Sequence, residues 1–174
     1  ALSLEDWDIE RTTQYILANN HRNVTLQFPD HLLKYSAPVA AAIKRCLGSG
    51  YTVAILADTA FNPEAVDEVA ARHVNASCVV HYGHASLAAV SELPVLYVFP
   101  RTPLHARHTA AAIASSLGAS SASSGATAVV ILDQPYLHAA GRVQAALQAA
   151  ASGWQVVRAS AAVPCSLSQP VAST

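Results

Sequence analysis

Histidine, aspartate and cysteine are the residues here whose types could do chemistry, and their spacing sorts them. Eight histidines include two His-x-x-His pairs, His81/His84 and His105/His108. Imidazoles three residues apart can share one helical face and offer two donors to a metal, but without a third ligand the pattern is weak. His105 and His108, at the start of a helical pattern, read as surface or partly packed side chains. His81 lies inside a β-rich run and reads as packed or locally hydrogen-bonded, whereas His84 lies just past its end, where it can face a ligand. Asp30, Asp58 and Asp67 fall near strand ends or the helices after them. A carboxylate there can bind a ligand, and it can equally cap a helix. Cys46 beside Leu47 and Cys78 in a strand read as core thiols. Cys165 sits in a loop with no second cysteine nearby and forms no cluster motif. No GxGxxG, Walker A, GxSxG or HExxH pattern is present.

The elements that must position these residues follow a simple alternation. A helix is expected over Asp6–Asn19, a strand over Asn23–Phe28, and a helix from about His31 to Leu47 closed by Gly48-Ser49-Gly50. Strand Tyr51–Ala57 follows. Pro63 is suited to the first turn of a helix running to about Val74, with Val66, Val69, Ala70 and His73 on one side. Strands Cys78–Tyr82 and Val95–Phe99 complete the series. Near-continuously apolar strands alternating with helices argue for a parallel sheet covered on both faces. Ligands of such sheets bind at the carboxyl ends of the strands, which is where Asp30, Asp58, Thr59, Gly83 and His84 fall.

Pro100-Arg101-Thr102-Pro103 marks a boundary. Beyond it come a helix over about Leu104–Leu117, capped by Thr102 or a neighbour, and a Ser/Gly/Ala loop. Strand Ala128–Leu132, helix Pro135–Ala151 and strand Trp154–Ala159 follow. The expected class is α/β, with parallel sheets flanked by helices in repeated similar domains: residues 1–100 form a complete one and residues 101–174 a partial one.

The composition excludes several classes. Hydrophobic residues make up 52% of the 174 and charged residues 12%, with a net charge of −1, so no basic stripe is available for nucleic acid. No apolar run reaches the ~18 residues of a membrane span, and the first residues carry no secretory signal pattern. Three widely spaced cysteines argue against a disulfide framework and for a reducing compartment, the cytoplasm. With no Met at all and an uncapped far end, the chain is expected to be a piece of a longer protein.

Five segments together resemble one family. Val24–Leu33 is similar to the "LQFPD-x-LL" opening of the diphthamide-synthesis family, and Ile55–Phe61 to its "LADT-x-Y/F". Val66–His73 resembles its "VDEVAAEH", Val79–His84 its "IVHYGH", and Leu93–Phe99 its "LPVLYVF". They occur in the family's order, span about residues 9 to 100, and lean to the second subunit of the eukaryotic heterodimer. Beyond residue 100 the resemblance rests mainly on the helix–strand pattern.

The resemblance implies the first step of diphthamide biosynthesis. In that step a 3-amino-3-carboxypropyl group moves from S-adenosylmethionine to a histidine of translation elongation factor 2. Family members resemble three similar α/β domains, each giving a cysteine to one 4Fe–4S cluster, and in eukaryotes two related subunits pair. This chain departs from the pattern at the ligands. Where the family has a segment like "YGSCCVDE", Phe61–Glu68 puts Glu64 and Ala65 at the two cysteine positions. Its "HSCL" position is His84-Ala85-Ser86-Leu87, and the second-domain ligand would fall near Ser160, where no thiol stands. A carboxylate is a hard, poor substitute for a thiolate on iron–sulfur, and an alanine is none.

The expectation is therefore an accessory subunit that holds no metal and has no catalytic residue of its own. It would pair with a cluster-bearing sibling, and elongation factor 2 would be the substrate of the pair. Two alternatives stand beside it. One is a divergent stand-alone small-molecule or nucleotide binder that uses the strand-end residues. The other is a fragment of a cluster-competent protein whose ligands lie elsewhere.

Overall fold

The computed structural model describes residues 7–57, 62–118 and 125–159. Asp58, Thr59, Ser160 and Cys165 lie outside the described residues. The chain divides at Pro100/Arg101 into two compact units.

In the first unit, helix α1 (Ile9–Ala18) precedes strand β1 (Asn23–Gln27), helices α2 (Asp30–Leu33) and α3 (Ser36–Leu47), and strand β2 (Thr52–Leu56). Helix α4 (Glu68–His73) and strands β3 (Cys78–Tyr82) and β4 (Val95–Val98) follow. The strands form one parallel sheet in the order β2-β1-β3-β4. This is the α/β class with a helix-flanked parallel sheet that the sequence pattern implies.

Side-chain alternation divides the core between the two faces of the sheet. On one face Val24, Leu26, Val80, Tyr82, Leu96 and Val98 pack with Ile16 of α1 and Val39, Ile43 and Leu47 of α3. Trp7 lies edge-on to Phe28 and Tyr82, and Phe28 stacks on Tyr82 at 4.6 Å between centroids. The other face buries Leu56, Val79, Val95 and Tyr97 against Ala71 of α4 and Ala85.

Several local expectations need correction. The helix expected over His31–Leu47 is two helices. Pro38 has no N–H and would clash with the carbonyl of Lys34 in a continuous helix, so α3 restarts at Ser36 and leaves Pro38 in its first turn. Cys46, read as a core thiol, is exposed, because α3 buries Val39, Ala42, Ile43 and Leu47 and turns position 46 outward. Pro63 does not open a helix, since α4 begins only at Glu68 after Asp67, whose carboxylate accepts the Ala70 N–H at 2.8 Å. On α4, Val69 is 68% exposed and points away from the face that buries Ala71.

In the second unit, helix α5 (Ala106–Ser116) precedes strand β5 (Thr127–Val130), a 3-10 helix (Gln134–Ala139), helix α6 (Ala140–Ala150) and strand β6 (Gln155–Arg158). The helix cap is His105 rather than Thr102, with no side-chain hydrogen bond. Strands β5 and β6 pair in parallel, and Val130 and Val156 pack with Ala110, Val143, Leu147 and Trp154. Val129, Ile131 and Val157 are exposed.

Candidate functional site

Strand order places the site of the first unit. The chain leaves β1 toward β2 on one side and returns to β3 on the other, so the order reverses between β1 and β3. A crevice opens outside the carboxyl ends of neighbouring strands where the direction reverses. A pocket of about 180 Å³ lies there, lined by Pro29, Asp30 and His31 after β1, His84 after β3, and Pro63 and Glu64 from the β2–α4 connection.

Gly83 joins the two strand ends. Its φ is +106°, its N–H donates to the Val98 carbonyl at 3.0 Å, and a Cβ on it would stand 2.9 Å from Pro29 Cγ. Only glycine meets both demands. Gly83 thus lies beneath Pro29, and its place in the site is one of close packing.

A buried polar row supports the pocket from below. The register aligns Gln27 with His81 and His81 with Tyr97 across three strands. Gln27 is 3% exposed and His81 is fully buried. His81 Nε2–H donates to the His84 carbonyl at 3.1 Å, which fixes the loop carrying His84. Burial pulls the His81 imidazole below its ordinary value, while the His84 carbonyl and the Glu64 charge pull weakly the other way. His81 is therefore neutral near pH 7, and its Nδ1 has no partner among the described residues.

Gln27 takes hold of the turn that carries Glu64. Its Nε2 donates to the Ala65 carbonyl at 2.7 Å, and its Oε1 accepts the Asp67 N–H at 3.0 Å. Those are backbone groups a helix starting at Pro63 would use internally, which explains why α4 starts late. The Glu64 N–H donates to Asn62 Oδ1 at 3.0 Å, and the Glu64 carbonyl accepts the Ser86 N–H at 2.9 Å.

The pocket brings together Asp30 and His84 of the sequence-derived candidates with Glu64, while Asp58 and Thr59 lie outside the described residues. Asp67 is a helix cap. His105 and His108 are exposed on the second unit. Sequence reasoning missed His31, Pro63 and, above all, Gln27. The available signal was a long polar side chain at the end of an otherwise apolar strand.

The donors do not suit an iron–sulfur cluster. Neither described cysteine lines the pocket: Cys46 faces outward from α3, and Cys78 is buried in β3, where burial pushes its thiol up to about 12. Among the described residues no three His, Cys, Asp or Glu side chains converge to hold a metal. The second unit has a larger depression between α5 and α6, about 990 Å³, whose walls are largely alanine with Arg107, Arg142 and His105 at the rim. No helix among the described residues is long and apolar enough to cross a membrane.

A four-stranded parallel sheet with a crevice at its switch point defines the class: an open α/β domain with a strand-end site. The chain belongs to the family described as "Putative diphthamide synthesis protein", which it matches over residues 28–173. It is 45% identical to the 2-(3-amino-3-carboxypropyl)histidine synthase subunit 2 of Schizosaccharomyces pombe over 102 residues, 59% of this chain and 20% of that protein. The Xenopus laevis subunit 2 is 38% identical over 146 residues, 84% of this chain and 29% of that protein. The chain thus spans about a fifth to three-tenths of the length of these relatives. Among solved structures, Dph2 from Pyrococcus horikoshii with a 4Fe–4S cluster superposes with a TM-score of 0.60, covering 85% of this chain and 41% of that one. At 14% identity that likeness is one of fold.

Proposed function

We propose that this chain is part of an accessory subunit of the synthase for the first step of diphthamide biosynthesis. In this reading the complex transfers a 3-amino-3-carboxypropyl group from S-adenosylmethionine to a histidine of translation elongation factor 2. A sibling subunit holds the 4Fe–4S cluster. This chain supplies fold and pairing surface in a cytoplasmic heterodimer. Residues 1–100 are then the family's first α/β domain, and residues 101–174 part of its second.

One observation carries the reading. The turn at the positions where the resemblance places the family's cysteines has its backbone held by Gln27, Asn62 and Ser86, and it presents Glu64 and Ala65 in place of thiols. A firmly held turn without thiols fits a subunit selected for assembly rather than for holding iron.

The strand-end pocket favours a second reading, a stand-alone small-molecule site around Asp30 and His84, with Asp58, Thr59 and Gly83 nearby in sequence. Its size counts against a nucleotide: 180 Å³ lies below the roughly 300–1,000 Å³ of typical ligand pockets.

Anaerobic co-expression of the full-length parent with its organism's cluster-bearing sibling tests the proposal. The expected result is a co-purifying pair whose iron disappears when the sibling's ligand cysteines are replaced. Iron retained by this chain alone, or no pair at all, would overturn it.

A further inference from the structure

We propose that Gln27 is a positioning residue, whose side-chain amide sets the 62–67 turn so that the side chain at position 64 faces the strand-end pocket. The inference rests on that pocket being the functional site, and it does not depend on the partner. Gln27 is 3% exposed and lies on the central strand β1, so its own place is fixed by the sheet. Its two arms reach backbone groups two residues apart, the carbonyl of Ala65 and the N–H of Asp67, at 2.7 and 3.0 Å.

Only glutamine fits this task. An amide both donates and accepts, an ionised carboxylate only accepts, and asparagine is one methylene short. Position 64 lies between this grip and two others, the Asn62 side chain on its N–H and the Ser86 N–H on its carbonyl. Its backbone is pinned on both sides, and its side chain, which is exposed, forms one wall of the pocket with Pro63 and His84. Whatever residue stands at position 64 is presented to the same place.

A reporter thiol at that position tests the proposal. The full chain carries Glu64→Cys with Cys46→Ser and Cys165→Ser, and Cys78 is fully buried. Labelling by N-ethylmaleimide is followed from pH 5 to pH 8, each rate divided by that of a free cysteine peptide at the same pH. With Gln27 in place the thiol is exposed but held in one orientation against Pro63 and His84, which keeps its labelling below that of the free peptide. Gln27→Leu should raise the normalised rate at least fivefold at every pH.

Gln27→Glu separates positioning from mere bulk. Its carboxyl, raised by burial, can donate to the Ala65 carbonyl only when protonated. It should match the parent at the acid end and Gln27→Leu at the alkaline end. A Gln27→Leu rate within twofold of the parent, or a Gln27→Glu profile parallel to the parent's, would overturn the proposal. If Gln27→Leu fails to fold, the Gln27→Glu crossover decides alone. A sibling that fails to co-purify leaves this contrast untouched, and a flat contrast leaves the pairing intact, so the two proposals fail separately.

Discussion

Both units use a glutamine amide to bridge a carbonyl and the N–H two residues on, and they use it for different ends. In the first unit Gln27 sits on a central strand and holds a turn beside a pocket. In the second, Gln148 sits on α6, where its Nε2 donates to the Trp154 carbonyl at 2.6 Å and its Oε1 accepts the Val156 N–H at 3.0 Å. Gln144 Nε2 donates to the Val156 carbonyl at 3.1 Å. These groups lie on the side of β6 away from β5, whose ladder uses the N–H groups of Gln155 and Ala159. The same amide therefore shapes a site in one unit and satisfies an open strand edge in the other, a place where unpaired backbone invites other chains. The difference follows from the sheets. Four strands with both faces covered leave a crevice at their ends, whereas two strands leave Val129, Ile131 and Val157 exposed and have an edge to protect.

Core truncation should separate the units most strongly. Phe28→Ala removes a fully buried ring stacked on Tyr82 and should cost about 3–5 kcal/mol in urea unfolding. Leu147→Ala in the second unit should cost less, near the low end of about 2–5 kcal/mol, because its neighbours include small side chains such as Ala110, Ala114 and Ala151 that fill less space. Equal losses would break the comparison.

Glycine replacement comes next. Gly83→Ala combines a disfavoured backbone with a 2.9 Å approach to Pro29 Cγ, and should cost about 2–3 kcal/mol. Gly48 also has positive φ but open space around its Cβ position, so Gly48→Ala should cost about 1 kcal/mol by the same assay.

Acid should then weaken the first unit in two windows, each a smaller, graded loss. Burial lowers both His21 and His81. Below the ordinary imidazole value of about 6.5 the unfolded chain therefore binds more protons, and stability falls as pH falls. Glu68 acts lower on the scale. Burial pushes its carboxyl up, but the N–H groups of Glu92, Leu93 and Ser91 and the Arg72 charge outweigh this and hold it below its usual value. Its contribution is present above the unfolded carboxylate value of about 4.3 and is lost as pH drops through the depressed one. Melting temperatures from pH 8 to pH 3 should show both steps, and His81→Phe should flatten the upper one. The smallest effect concerns the uncovered face of the second unit. Ile131→Thr should change stability by no more than about 0.5 kcal/mol and should reduce binding of a hydrophobic dye.

Much of the fold was legible in the sequence because strand and helix periods dominate it. Runs such as Val24–Phe28 and Cys78–Tyr82 announce buried parallel strands. The strand-end rule then put Asp30 and His84 at one place, and the pocket includes both. What stayed hidden were competitions between local and long-range bonds. Nothing near Pro63 reveals that Gln27, distant in sequence, withdraws the Ala65 carbonyl and the Asp67 N–H from helix formation. Pro38 was the legible exception, a local break that the single helix expected over His31–Leu47 left out of account. Cys46 was misplaced because Leu47 beside it is buried, although neighbouring positions on a helix face different ways.

The packing of the two tryptophans has an optical consequence. The chain has two, Trp7 inside the aromatic cluster of the first unit and Trp154 in the core of the second. Each unit thus carries its own fluorophore, shielded from solvent at 6% and 8% exposure. Trp7→Phe leaves emission from the second unit alone, and Trp154→Phe from the first. Two single-substitution proteins can therefore follow each half of the molecule by light, with no dye attached.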